Sequence, residues 1–253
     1  MSEIKSGHFI AAEADGFRYI EKSSPGTTHL QWLTYGVYEI DGTVATAAIA
    51  HPGEEALLFC WEGQTRVTLA GATYDLSPYD VLYIPRSEAY CFSSDGDRCR
   101  VVVCRAPAEN SHPPYYAAWS DVRHDERRIR RLKGKDVFLM FDVSEGADKL
   151  MAGYTFFQPF QRSWPPHNHT DQEEIYIFLN GRGAMEVYAE EETKSFVYSV
   201  EAGNAVTIPI LNYHPVFSQE DPLEFIWCIA GARYWVGDKN EDFMTGKVSE
   251  LTT

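Results

Sequence analysis

The sequence lacks the signals that mark a secreted, membrane-embedded or nucleic-acid-binding protein. No run approaches the ~20 consecutive apolar residues that a membrane helix requires. Met1 to Asp15 mixes charge and polarity and has no continuous apolar core of the kind a signal peptide needs. On this reading the protein is cytoplasmic and has no membrane partner. The five cysteines, Cys60, Cys91, Cys99, Cys104 and Cys228, are odd in number and form no C-x-x-C pair. Buried free thiols in a reducing compartment are therefore expected. Positive charge is also scarce, with 22 Lys and Arg against 37 Asp and Glu and a net charge of −15. Such a surface opposes nucleic acid and anionic membranes but leaves room for a small anionic substrate held by a few pocket arginines. The one basic run, Arg127-Arg128-Ile129-Arg130-Arg131, lies in acidic surroundings and reads as a solvated linker. No helix-turn-helix pattern is visible, which argues against a DNA-binding regulator.

What the chain does contain is strand-forming sequence. Its 253 residues are 44% hydrophobic and 14% aromatic, and apolar stretches punctuated by Gly, Pro, Asp and Asn recur along it. Val44–Ile49, Ala56–Trp61, Thr65–Leu69, Val81–Ile84 and Val101–Cys104 form one group. Leu150–Phe157, Glu174–Leu179, Met185–Tyr188, Ala205–Ile208 and Phe225–Ile229 form a second. With no convincing amphipathic helix between them, they predict an all-β sandwich or barrel. Between the groups, Pro107 to about Gly134 has the composition of a connector, with a short helix expected around Asp125–Leu132. The two groups also look like copies. Glu54-Glu55-Ala56-Leu57-Leu58-Phe59-Cys60-Trp61-Glu62-Gly63 matches Glu173-Glu174-Ile175-Tyr176-Ile177-Phe178-Leu179-Asn180-Gly181 with one residue extra. Asp80-Val81-Leu82-Tyr83-Ile84-Pro85 matches Asn204-Ala205-Val206-Thr207-Ile208-Pro209. The expected organisation is a degenerate barrel over 1–106, a linker over 107–135 and a metal-binding barrel over 136–253.

The second group carries the chemistry. His167-Asn168-His169 places two imidazoles at i and i+2, on one face of an extended strand. Glu174 can return on the next strand after a turn at Asp171-Gln172, and His214 follows the strand that ends at Pro209. Three imidazoles and a carboxylate suit one divalent ion, Zn or Mn in the first place, with Fe or Ni as alternatives. In the first group the corresponding donors are absent. Tyr90 falls where a histidine would follow Pro85, no H-x-H precedes Glu55, and His51 stands alone as a structural histidine.

This pattern resembles the first cupin motif, H-x-H-x4-E-x6-G, met by His167, His169, Glu174 and Gly181. The second motif, G-x5-P-x-G-x2-H, is met by Gly203, Pro209 and His214, with Leu211 in place of its second glycine. Gln161 stands where a further glycine is usual, six residues before His167. The spacing to Gly181 selects Glu174 over Glu173 as the ligand, since adjacent strand residues face opposite ways. Glu173 is then a solvated or rim carboxylate. The implied fold is two tandem cupin (jelly-roll) β-barrels.

The flanks narrow the resemblance. Ala147-Asp148-Lys149-Leu150, Ser163-Trp164-Pro165-Pro166, Glu173-Glu174-Ile175-Tyr176, Tyr213-His214-Pro215-Val216 and Ala230-Gly231 resemble the 5-deoxy-glucuronate isomerase family of inositol catabolism. That family is related to the 4-deoxy-5-keto-uronate isomerases of pectin breakdown. The resemblance is specific over Lys149 to Trp235 and general before Pro107. The chain departs from the family's pattern at Asn168 and Thr170, where Lys and Asp are usual, and at Met185-Glu186, where Gln-Arg is usual. An acid at 186 would weaken carboxylate binding if it faced the pocket.

The resemblance implies a metal-dependent aldose–ketose isomerisation of an acidic deoxy sugar by a homo-oligomer. Metal-bound hydroxide, Glu173 and Tyr213 are candidates for the base, and Arg162 and Arg233 for the carboxylate site. Tyr176 shares the parity of Glu174 and lines the pocket, offering one hydroxyl to a sugar. Two other classes share these features. A metal-dependent cupin oxygenase would use the same four ligands, and a non-catalytic sugar-binding bicupin would use the same scaffold.

Overall fold

A computed structural model describes residues 9–96, 98–163, 166–190 and 197–234. The chain divides into two compact units, one of Met1–Val122 with Ser144–Leu150, the other of Arg123–Val143 with Met151–Thr253.

In the first unit the strands are β1 (Phe9–Ala14), β2 (Phe17–Ser23), β3 (Thr34–Ile40), β4 (Thr43–Ala45), β5 (Glu54–Glu62), β6 (Thr65–Leu69), β7 (Ala72–Leu76), β8 (Val81–Ile84), β9 (Tyr90–Asp95), β10 (Cys99–Pro107) and β11 (Tyr115–Ala117). They form a seven-stranded sheet, β1-β2-β3-β10-β5-β8-β11, and a four-stranded sheet, β4-β9-β6-β7. β6 reads Thr-Arg-Val-Thr-Leu and buries alternate residues, which is the signature of a strand with one face on a core. β5, β8 and most of β10 are buried on both faces, so their sequences are continuous apolar runs without alternation. The core joins Tyr38, Leu58, Val67, Phe92 and Val103 from both sheets.

In the second unit the strands are β12 (Ile129–Leu132), β13 (Lys135–Phe141), β14 (Leu150–Phe157), β15 (Gln172–Asn180), β16 (Arg182–Met185), β17 (Tyr198–Glu201), β18 (Ala205–Ile208), β19 (Val216–Ser218) and β20 (Leu223–Gly231). The larger sheet runs β12-β13-β14-β20-β15-β18 and the smaller β17-β16-β19. Tyr176, Phe178, Val206, Phe225 and Trp227 anchor its core.

Some segments differ from the expectations drawn above. The stretch 107–135, expected as a connector, supplies β11 to the first unit and β12 to the second. In place of a helix over Asp125–Leu132 there is one 3-10 turn, Glu126–Arg128, followed directly by β12. Pairing of Ile129–Leu132 with β13 supplies backbone partners that a short helix in a charged segment could not. Met185–Tyr188 is not a continuous strand, since β16 ends at Met185 and Tyr188 makes only an isolated bridge to Tyr213. The five cysteines are free, four of them buried. Among the described residues no helix is long and apolar enough to cross a membrane.

The internal repeat is closer than sequence comparison implies. β5 pairs Ala56 with Ile84, and β15 pairs Glu174 with Ile208. Each strand then carries a bulge two residues before a turn glycine, Gly63 or Gly181. Both glycines have positive φ, and a Cβ on either would strike a backbone carbonyl, of Arg98 or of Pro222. Aligned on these marks, the two strands need no extra residue. Glu55 corresponds to Glu173, and Ala56 to Glu174.

Candidate metal centre

His167 and His169 lie on the extended segment before β15, Glu174 on β15, and His214 on the loop between β18 and β19. The structure brings the three imidazoles together, with ring nitrogens all within 4.8 Å of one another. Glu174 Oε2 lies 3.2 Å from His169 Nε2 and 3.1 Å from His214 Nε2. Two ligands bound to one ion at about 2.1 Å stand about 3.0–3.4 Å apart in octahedral or tetrahedral geometry. The spacing therefore fits a shared ion.

Polar satisfaction points the same way. His214 Nε2 is buried without a hydrogen bond, because Glu174 is near but poorly aligned. A buried nitrogen left in this state is costly unless something binds it. His214 Nδ1 lies 3.0 Å from the Asn212 carbonyl, so Nδ1 carries the proton and Nε2 presents its lone pair to the cluster. Burial, with His214, His169 and Lys135 nearby, holds His167 well below the ordinary imidazole range. Burial alone would raise Glu174, but its contacts with His169 and His214 pull it below the usual carboxylate value. A neutral imidazole and an ionised carboxylate are the forms that bind a metal.

The cluster opens on a pocket of about 80 Å³. Met151, Tyr176, Trp227 and Ile229 give it an apolar wall, and Arg130 and Lys135 add two cations. Tyr176 is the candidate substrate residue that the fold brings here. Glu173 is not solvated, contrary to expectation. It is 1% exposed and sits on the face of β15 opposite Glu174, away from the pocket. Tyr213 stacks on Tyr188, with ring centroids 5.5 Å apart, and does not line the pocket. Arg162 is exposed and bridges to Phe217, while Arg233 donates to the Asp142 carbonyl and lies over the Phe141 ring. Of the proposed catalytic and carboxylate residues, these four therefore lie outside the pocket lining. Glu186 and Asn168 also lie outside the pocket lining, so the departures from the family pattern there do not reach it. Trp164, Pro165 and Trp235 fall outside the described residues.

The missing motif glycine leaves its mark on the backbone. Leu211 has φ 63° and donates its N–H to the His169 carbonyl, tying the two motifs together. The left-handed conformation survives at a cost of about 1 kcal/mol for a non-glycine residue. Ser87, its counterpart after Pro85, has φ 61°.

In the first unit the four ligand positions hold Ile49, His51, Ala56 and Tyr90. Ile49 and Ala56 offer no donor atom, so no comparable ion site exists among these residues. Instead Tyr38 Oη, Tyr90 Oη and His51 Nε2 contact one another at 2.8–3.2 Å. Arg105, where the second unit has Ile229, lies 3.3 Å from His51 Nδ1 and pairs with Glu54 and Glu21. Hydrogen bonds occupy the place where the second unit has its histidine–glutamate cluster.

Burial, then the Arg105 guanidinium, lowers His51 from 6.5 to about 4. Between those pH values the unfolded chain binds a proton that the folded chain refuses, so stability falls as pH falls from 6.5 to 4. The expected loss is about 3 kcal/mol. Denaturant unfolding at pH 7 and pH 4.5 measures it. His51→Gln should flatten that difference, and an undiminished slope in the variant would reject the assignment.

Paired sheets and a histidine–glutamate cluster inside one jelly roll define a cupin. Comparison with solved structures agrees on the fold. The oxalate decarboxylase of Bacillus subtilis, whose Mn(II) centres have been characterised, superposes with TM-score 0.72 at 13% identity, covering 91% of this chain and 77% of that one. An IolB-like protein from Salmonella typhimurium LT2 superposes with TM-score 0.73 at 20% identity, covering 89% and 93%. The chain belongs to the KduI/IolB family, whose model matches residues 10–244. Among its relatives, the 5-deoxy-glucuronate isomerase of Listeria monocytogenes (strain HCC23) is 30% identical over 157 residues, 56% of this chain and 57% of that protein. The 4-deoxy-L-threo-5-hexosulose-uronate ketol-isomerase of Levilactobacillus brevis is 26% identical over 185 residues, 67% and 63% of the two chains. This chain thus spans little more than half the length of the Listeria relative it matches.

Proposed function

We propose that the protein is a metal-dependent ketol-isomerase of an acidic deoxy sugar, of the 5-deoxy-glucuronate or 4-deoxy-5-keto-uronate type. The observation that carries this reading is the clustering of His167, His169, His214 and Glu174, with His167, His169 and Glu174 lining a pocket that also holds two cations. Family membership and the names of the relatives support the substrate class.

In this reading the four residues hold one divalent ion, Zn or Mn in the first place. When bound, such an ion polarises a carbonyl and its neighbouring hydroxyl, which acidifies the intervening C–H. The chain's own groups then orient the sugar. Tyr176 sits in the wall with its hydroxyl available to one sugar oxygen, and its burial holds that phenol protonated, so it donates rather than accepts charge. Trp227, Met151 and Ile229 exclude water from the same side, which strengthens each polar contact inside. Isomerisation needs only proton movement between adjacent carbons, so no co-substrate is required.

The test is turnover of both sugar acids by metal-replete protein in D2O, followed by NMR. The expected result is conversion with solvent deuterium entering next to the carbonyl, no oxygen uptake, and loss of turnover after chelation. Metal-replete protein that leaves both acids unchanged would reject the isomerase reading. Oxygen consumption would move the protein to the oxygenases.

A further inference from the structure

We infer that Lys135 and Arg130, on the β12–β13 hairpin, bind the carboxylate of the sugar and set the pocket's preference for acidic over neutral substrates. This rests on the sugar-acid reading above and goes beyond it by assigning the carboxylate site.

The hairpin's register makes the wall. Arg130 pairs with Val137 and Leu132 with Lys135, and these four residues all line the pocket. Residues two apart on a strand share a face, so one face of the hairpin turns its two cations inwards. Arg131, between Arg130 and Leu132, faces the other way. It is spent on surface pairs with Glu126 and Asp136. Arg127 is likewise paired with Asp125, and Arg128 donates to the Leu139 carbonyl. The basic run is therefore not uniformly a solvated linker, because strand parity sorts one of its arginines into the site.

Lys135 is the sharper case. Its ammonium donates to Ser163 Oγ at 3.1 Å and sits 5.2 Å from the centre of the Phe157 ring. Among the described residues no carboxylate forms an ion pair with it. Burial lowers its pKa to about 8, so it stays largely charged at neutral pH. A half-buried cation held by a hydroxyl, in a pocket walled by Trp227 and Tyr176, leaves donor positions for an anion. Charge-assisted bonds of this kind are roughly twice as strong as neutral ones, and the adjoining apolar wall favours them further. The chain's overall charge of −15 does not supply that attraction, so it must come from local cations.

The test uses the metal-loaded full chain, with D-glucuronate and D-glucose as paired probes in calorimetry. Lys135→Met is expected to weaken glucuronate binding about 10- to 100-fold, and Arg130→Gln about 10-fold, with glucose binding unchanged. Lys135→Arg should recover most of the glucuronate affinity, and Arg131→Gln, on the outer face, should match wild type. Metal content and melting temperature are recorded for each variant, so a folding or metal defect is visible as such. Unchanged glucuronate affinity in both Lys135→Met and Arg130→Gln overturns the inference. So does a wild-type protein that binds glucuronate no better than glucose. Glucuronate binding that depends on Lys135 in a protein without isomerase turnover supports the carboxylate site and removes only the isomerase reading.

Discussion

Replacing His169 or His214 by alanine is expected to leave a folded protein that no longer retains a metal ion. Each imidazole is one of four donors around a single point, and each is almost fully buried, 3% and 1% exposed. Water can fill the vacated ligand position only poorly in a site walled by Tyr176 and Ile229. Outer-shell partners of metal ligands are worth about 10- to 100-fold in affinity, and a direct ligand exceeds that, so at least ~100-fold is expected here. Folding should survive because the second core, centred on Phe178, Phe225 and Val206, does not pass through either histidine. Metal per chain after dialysis, with circular dichroism of the same samples, decides the matter. Full metal content in both variants would sink the four-ligand assignment. Glu174→Gln should fall between, since the amide keeps one oxygen donor but loses the charge.

The second large effect concerns stability. Glu55→Ala is expected to destabilise the first unit by about 3 kcal/mol or more, since each buried donor left without an acceptor costs about 1–3 kcal/mol. Glu55 is 0% exposed. Its Oε1 accepts from the Lys149 and Leu150 N–H groups at 2.7 and 3.0 Å, and its Oε2 from Asp148 N–H and Tyr83 Oη at 2.9 and 2.8 Å. Alanine would leave those donors buried without an acceptor. Glu55→Gln should be nearly as damaging, because its NH2 would face donors where the second oxygen now accepts. Guanidinium unfolding of wild type and both variants provides the comparison. A shift below about 1 kcal/mol in both would show that the segment rearranges around the loss.

This carboxylate also shows why part of the protein was readable from its residues and part was not. The cluster of three histidines and Glu174 was legible because H-x-H, a glutamate five residues on and a histidine after the next strand obey local geometry. Strand parity and turn length suffice to bring them together. The equivalence of Glu55 with Glu173 was not legible, since two adjacent glutamates allow either alignment. Only the pairing of β5 with β8 and of β15 with β18 settles it. Glu173 itself was expected at the rim because charged residues are seldom buried. Its burial depends on what packs behind β15, which no local pattern encodes.

The sequence by itself determined an all-β duplicated scaffold and the three histidines and one glutamate that cluster in its second unit, because alternation, turn residues and motif spacing act within a few residues of each other. Tertiary structure alone decided which cations face that centre. Arg162 and Arg233 lie close to the motifs in sequence but outside the pocket, whereas Arg130 and Lys135 lie more than thirty residues before His167 and line it. The reason is physical. A side chain's direction follows from the register of its strand, and the place of the β12–β13 hairpin in the sheet is set through β14, which pairs with β13 on one side and lies beside the distant β20 on the other.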